Sequence, residues 1–73
     1  MKLNKGIILR YENAIAGGTL YIFDLNKEKI YRSGKREYEW MKNYLFVDDM
    51  LEDALPQIVR EFRDTLIQLE IIK

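Results

Sequence analysis

Hydrophobic and polar side chains alternate along the first part of the chain, which is the pattern of β-strands. In residues 6–12, Ile7, Leu9 and Tyr11 fall on one face and the residues between them on the other. Residues 19–25 are mostly β-branched, aromatic or aliphatic, which suits a largely buried strand. We therefore predict strands over about 6–12, 19–25 and 29–32, with a hairpin between the last two.

Beyond residue 34 the apolar side chains follow helical spacing instead. They predict helices over about 35–46, 48–55 and 57–70, the last of which begins at a proline. Strands followed by helices predict an α+β fold, in which a three-stranded antiparallel sheet carries three helices on one face. Its length of 73 residues predicts a single domain over 1–73.

Two local patterns add detail to these elements. Gly17-Gly18 stands before the second strand and predicts a backbone with positive φ or a bulge. Asp49 and Glu52 have the spacing of a capping box and predict the start of the middle helix. The acidic residues around them lack the alternating oxygens and central glycine of a calcium loop, so we predict no metal site.

The charges sum to zero but are unevenly distributed. Residues 1–46 hold nine Lys/Arg and five Asp/Glu, and residues 47–73 hold three and seven. We expect the two halves to neutralise each other in the fold, and the neutral total disfavours a nucleic-acid partner. The chain has no Cys and no apolar run near the roughly 18 residues that span a bilayer, so we expect a cytoplasmic protein without a membrane partner.

The residue types leave little room for catalysis. The chain has no His and no Cys, and Ser33 is its one serine. The usual general base, the thiolate nucleophile and the commonest metal ligands are therefore missing. We predict a protein that is not an enzyme and uses no cofactor.

The short basic strand over 29–32 has the character of a sheet edge. Such an edge must either block a further strand or accept one. Our functional interpretation is that this edge accepts a further strand. We expect the Tyr31 N–H group to point outward.

Two segments resemble the PqqD-like family, whose members recognise peptides in ribosomal-peptide modification systems and occur as the small partner protein in lasso-peptide assembly. Residues 17–24 look like the family's Gly-Gly, apolar run and Asp before a hairpin turn. Residues 58–72 look like its closing helix. The likeness spans most of residues 6–72 and implies a winged-helix-like fold.

The resemblance implies a partner and a site. The partner is the leader of a precursor peptide, which adds as a strand to the third strand and is presented to a separate modifying enzyme or protease. Its alternate side chains enter a groove beside the last helix. The implied peptide-binding residues are Lys29, Ile30, Tyr31 and Arg32 on the strand, and Arg60, Arg63, Leu66 and Ile67 on the helix.

Other interpretations of the same residues stay open. The edge can instead pair with its own copy, which makes the chain a structural module that forms a homodimer. A small nucleic-acid binder would use Tyr21, Tyr31 and the basic run from Lys27 to Arg36. Without the resemblance, the sequence indicates only that Ile30 and Tyr31 pack within the hairpin and that Arg32, Arg60 and Arg63 are solvated.

Overall fold

The computed structural model describes residues 1–14 and 17–73, so Ile15 and Ala16 lie outside the described residues. Within these residues the sheet has three strands: β1 (Ile7–Ala14), β2 (Gly17–Asp24) and β3 (Lys29–Gly34). They are antiparallel, in the order β1–β2–β3. The predicted strands and the α+β architecture are confirmed, with strand ends within two residues of those expected.

The sheet has a helix-covered face and an open face. Ile7, Leu20 and Ile22 point to the covered face and are buried. On the open face, Ile8 and Ile30 are 50% and 61% exposed. An antiparallel sheet ordinarily carries polar side chains on its solvated face, so the isoleucines there depart from the usual alternation.

Helices pack on the covered face. α1 (Lys35–Trp40) continues into a π-helical segment, Met41–Leu45, and confirms the first predicted helix. α2 (Gln57–Gln68) confirms the last. Trp40 contacts Phe62 with ring centroids 5.6 Å apart, which joins the two helices. No helix in the described part of the chain is long and apolar enough to cross a membrane. The core combines both layers: Ile7, Leu20, Ile22, Met41, Leu45, Leu55, Val59, Leu66, Ile71 and Ile72.

The predicted helix over 48–55 is wrong, because only a 3₁₀ turn, Glu52–Ala54, forms there. Asp49, the expected cap, has a φ of 62°, which is a left-handed conformation that does not start a helix. Leu55 is extended, with a ψ of 125°, because the following Pro56 disfavours helical dihedrals at the residue before it. The expected capping box is therefore also wrong.

The first and last described residues lie side by side. Lys2 and Lys73 exchange two main-chain hydrogen bonds of 2.9 Å, and Asn4 N–H donates to Ile71 O at 2.9 Å. Ile71 and Ile72 are buried in the core to which the sheet and α2 both contribute. This pairing lies at the Ile7 end of β1 and does not involve β3.

Candidate functional site

β3 is an edge strand, because in the described sheet it pairs with β2 alone. Among the described residues, no main-chain group of Lys29–Arg32 has a main-chain partner outside that ladder. An edge of this kind presents donors and acceptors that a further strand can use. We call residues Lys29, Ile30, Tyr31 and Arg32 the β3 edge.

The ladder between β1 and β2 shows which main-chain groups point outward. Leu25 N–H donates to Gly6 O at 3.0 Å, just beyond the end of β2. Hydrogen-bonding direction alternates along an antiparallel strand. The odd-numbered residues of β2 therefore bond to β1, and the even-numbered residues bond to β3.

This alternation fixes the direction of each amide in β3. Ile22 is even-numbered and lies opposite Tyr31, so these two residues exchange hydrogen bonds. Tyr31 N–H thus points into the sheet, and the expectation that it faces outward is wrong. The N–H and C=O groups of Ile30 and Arg32 point to the free edge instead.

Side chains of the β3 edge project from both faces of the sheet. Ile30 and Arg32 lie on the open face, and Lys29 and Tyr31 on the covered face. No described carboxylate lies within ion-pair distance of Lys29 or Arg32. The Arg32 guanidinium lies 5.8 Å from the centre of the Tyr21 ring. The edge therefore presents an exposed isoleucine between two cations.

A buried carboxylate fixes the hairpin that positions this edge. Asp24 is 2% exposed, and its Oδ1 accepts hydrogen bonds from the N–H groups of Asn26 and Lys27 at 3.0 and 3.1 Å. Glu28 then turns the chain with a φ of 55°. Sequence reasoning missed this role of Asp24, although Asp before a polar loop is the signal of such a turn.

Three of the five basic residues between Lys27 and Arg36 have polar partners within the chain, although their side chains remain exposed. Lys27 Nζ donates to a carbonyl at the end of α2 at 2.8 Å, and Lys35 and Arg36 lie beside carboxylates of α1. Tyr21 and Tyr31 project from opposite faces of the sheet. They therefore do not form one stacking surface for bases.

The α2 residues expected to form a groove wall have separate environments. Leu66 is 3% exposed in the core, which corrects its place in the wall because it has almost no surface for a ligand. Arg60 Nε donates to Leu55 O at 3.0 Å. Arg63 and Ile67 line a cavity that α2 forms with residues 47–52.

That cavity has a volume of about 420 Å³, and its described lining includes no β3 residue. Arg63 donates hydrogen bonds to Glu52 and Asp64 at its rim. The bond from Arg63 lowers the pKa of the Glu52 carboxyl below its ordinary value. The same bond raises the pKa of Arg63. The Arg63 charge is thus neutralised locally and is not offered to the β3 edge.

The two glycines at the start of β2 have different roles. Gly17 has a φ of 119°, which confirms the predicted positive φ. Gly18 is needed for space, because a Cβ there would overlap the hydroxyl end of Tyr11. Tyr11 in turn stacks on Tyr38 with ring centroids 4.2 Å apart. This contact joins β1 to α1. In the sequence, Gly18 is the one feature that indicates it.

The chain has no significant match among protein-family models, curated proteins or solved structures. Its described Asp and Glu side chains form no group of three or more that could hold a metal ion. The feature that the described geometry does present is the β3 edge, with outward amides, Ile30 and two cations. An edge of this type is suited to binding an extended main chain.

Proposed function

We propose that this chain is a non-catalytic adaptor that binds the leader of a ribosomally made precursor peptide by strand addition at the β3 edge. The carrying observation is the free edge itself, where Ile30 and Arg32 direct their main-chain groups outward. The sequence resemblance to the PqqD-like family supports the same class. The proposal includes a winged-helix-like arrangement of helices and hairpin, and a cytoplasmic location.

The main chain of the edge supplies affinity with little demand on peptide sequence. A guest strand pairs with the N–H and C=O groups of Ile30 and Arg32 and becomes the fourth strand of the sheet. Lys29 and Arg32 attract acidic segments and raise the rate of encounter more than the final affinity. Because Leu66 is buried and Arg63 is paired elsewhere, side-chain recognition falls mainly to β3.

The adaptor acts by positioning its guest. A peptide held on the sheet reaches a separate modifying enzyme or protease at a raised effective concentration. This role needs no catalytic group in the adaptor, which agrees with a chain that lacks His and Cys.

The test is to remove one outward amide. Ile30→Pro deletes a donor at the edge, where proline is tolerated because no ladder bond is lost. Ile30→Ala keeps the donor and removes only the side chain. Asn13→Pro deletes an outward amide on the opposite edge of the sheet, in β1. Binding is measured by fluorescence anisotropy with labelled leader peptides of candidate precursors.

We expect Ile30→Pro to abolish binding, Ile30→Ala to weaken it and Asn13→Pro to leave it unchanged, with all three variants folded by circular dichroism. Equal binding by the parent and Ile30→Pro would exclude strand addition at this edge. Sedimentation velocity addresses the competing occupant, a second copy of the chain. A dimer that Ile30→Pro dissociates would assign the edge to self-association instead.

A further inference from the structure

Rows of side chains run across the sheet and stop at the β3 edge. In a row, each residue lies directly opposite its neighbour on the next strand, at a distance where side chains interact. A guest strand would extend every row by one residue. The rows are Ile7–Asp24–Lys29 and Leu9–Ile22–Tyr31 on the covered face, and Ile8–Phe23–Ile30 and Arg10–Tyr21–Arg32 on the open face.

The two central rows are apolar along their whole length. The row on the open face ends at Ile30, which is 61% exposed. The row on the covered face ends at the half-buried Tyr31. An apolar guest residue opposite either one covers apolar surface that is otherwise in water.

The two outer rows end in cations. Lys29 and Arg32 have no carboxylate within ion-pair distance among the described residues. At the far end of one of these rows, Arg10 has its own partner in Glu12, 3.1 Å away on the same strand. Opposite charges favour direct cross-strand pairing, so carboxylates opposite Lys29 and Arg32 complete these rows.

We infer that the guest strand carries an acidic, apolar, apolar, acidic sequence opposite Lys29, Ile30, Tyr31 and Arg32. This inference rests on the proposed strand addition and names the class of peptide that it selects. The pattern is the same when read in either direction, so it holds for both orientations of the guest. The apolar pair divides between the two faces of the sheet, as does the acidic pair.

The test compares two peptides of equal composition with a third whose charges are reversed. The matching probe has Glu-Val-Tyr-Glu at the centre of a serine- and threonine-rich peptide of about ten residues. The permuted probe has Val-Glu-Glu-Tyr there, and a third probe has Lys-Val-Tyr-Lys. Each is titrated against the parent chain, Ile30→Pro and the double variant Lys29→Glu/Arg32→Glu, whose changes are at exposed positions.

We expect the parent to bind the matching probe about tenfold more tightly than the permuted probe, because each cross-strand pair contributes a small increment. The double variant should reverse the preference and select the lysine-flanked probe. If the parent binds both glutamate probes equally and Ile30→Pro abolishes both, the sequence pattern is wrong and strand addition stands. If the parent binds none of the probes, the inferred sequence pattern is refuted. If the parent also binds no leader peptide, the proposed adaptor function is refuted as well.

Discussion

The two edges of the sheet obey the same pairing rule but present different surfaces. At the β1 edge, Ile7 N–H already donates to Asn4 O at 3.2 Å. Arg10 and Glu12 neutralise each other on the open face. At the β3 edge, the outward amides of Ile30 and Arg32 have no described main-chain partner, and the same holds for Leu9 and Tyr11 farther along β1.

This difference shows that a free edge is defined by its side chains as much as by its main chain. Charged side chains on an edge strand disfavour unselective pairing with a further strand, and both edges carry them. Arg10 and Glu12 of β1 neutralise each other. Lys29 and Arg32 of β3 have no described carboxylate within ion-pair distance and therefore favour an acidic guest. Under the proposed function, the guest strand therefore binds at β3 and not at β1.

The largest expected effect is on the contact between β1 and α1 that Tyr11 and Tyr38 form. Gly18→Val puts a branched side chain where the Tyr11 ring lies and displaces the stack on Tyr38. We expect the free energy of unfolding to fall by about 3 kcal/mol, as for overpacked cores. Urea denaturation measures the change.

Gly34→Ala is the matched control at the β3 side of the sheet. The nearest atom to its added Cβ is a Glu37 carboxylate oxygen at 3.8 Å, so stability should change by less than about 1 kcal/mol. Similar losses of unfolding free energy in Gly18→Val and Gly34→Ala would mean that the Tyr11 contact does not make the β1 side more sensitive than the β3 side.

Removal of the hairpin carboxylate should have an intermediate effect. Asp24→Ala leaves the N–H groups of Asn26 and Lys27 without their side-chain acceptor. We expect a loss of about 1–2 kcal/mol in unfolding free energy, measured by urea denaturation. Asp24→Asn keeps the Oδ1 acceptor and should lose less. An equal loss in both variants would show that the charge, and not the acceptor, matters.

Alternation and helical spacing were sufficient to predict the sheet and both described helices, because these patterns follow from which side chains must be buried. The middle helix was predicted wrongly, since the spacing of its apolar residues does not show the left-handed backbone at Asp49 or the extended Leu55 before Pro56. The edge position of residues 29–32 was predictable from their place as the short last strand of the sheet. The cavity that Arg63 and Ile67 line was not, because the spacing of α2 does not show which segment packs against it.

The smallest effect concerns the ion pair between Arg63 and Glu52. The folded-state pKa of Glu52 is lowered by the hydrogen bond from Arg63. The stabilisation is therefore present at neutral pH and is lost as the pH falls through that folded-state pKa. Glu52→Gln should remove this small pH-dependent stabilisation, which thermal melts at neutral and acidic pH measure. It should leave the affinity for peptide unchanged. A marked change in peptide affinity would place α2 at the binding edge after all.

The most direct measurement is amide hydrogen exchange by NMR across β3, first in the free monomer and then with the matching peptide bound. We predict slow exchange at Tyr31 and Ser33 and fast exchange at Ile30 and Arg32 in the free chain. Binding should slow the exchange of Ile30 and Arg32 alone within the strand. Protection of these two amides in the free monomer, or unchanged exchange at both in the complex, would contradict a guest strand at this edge.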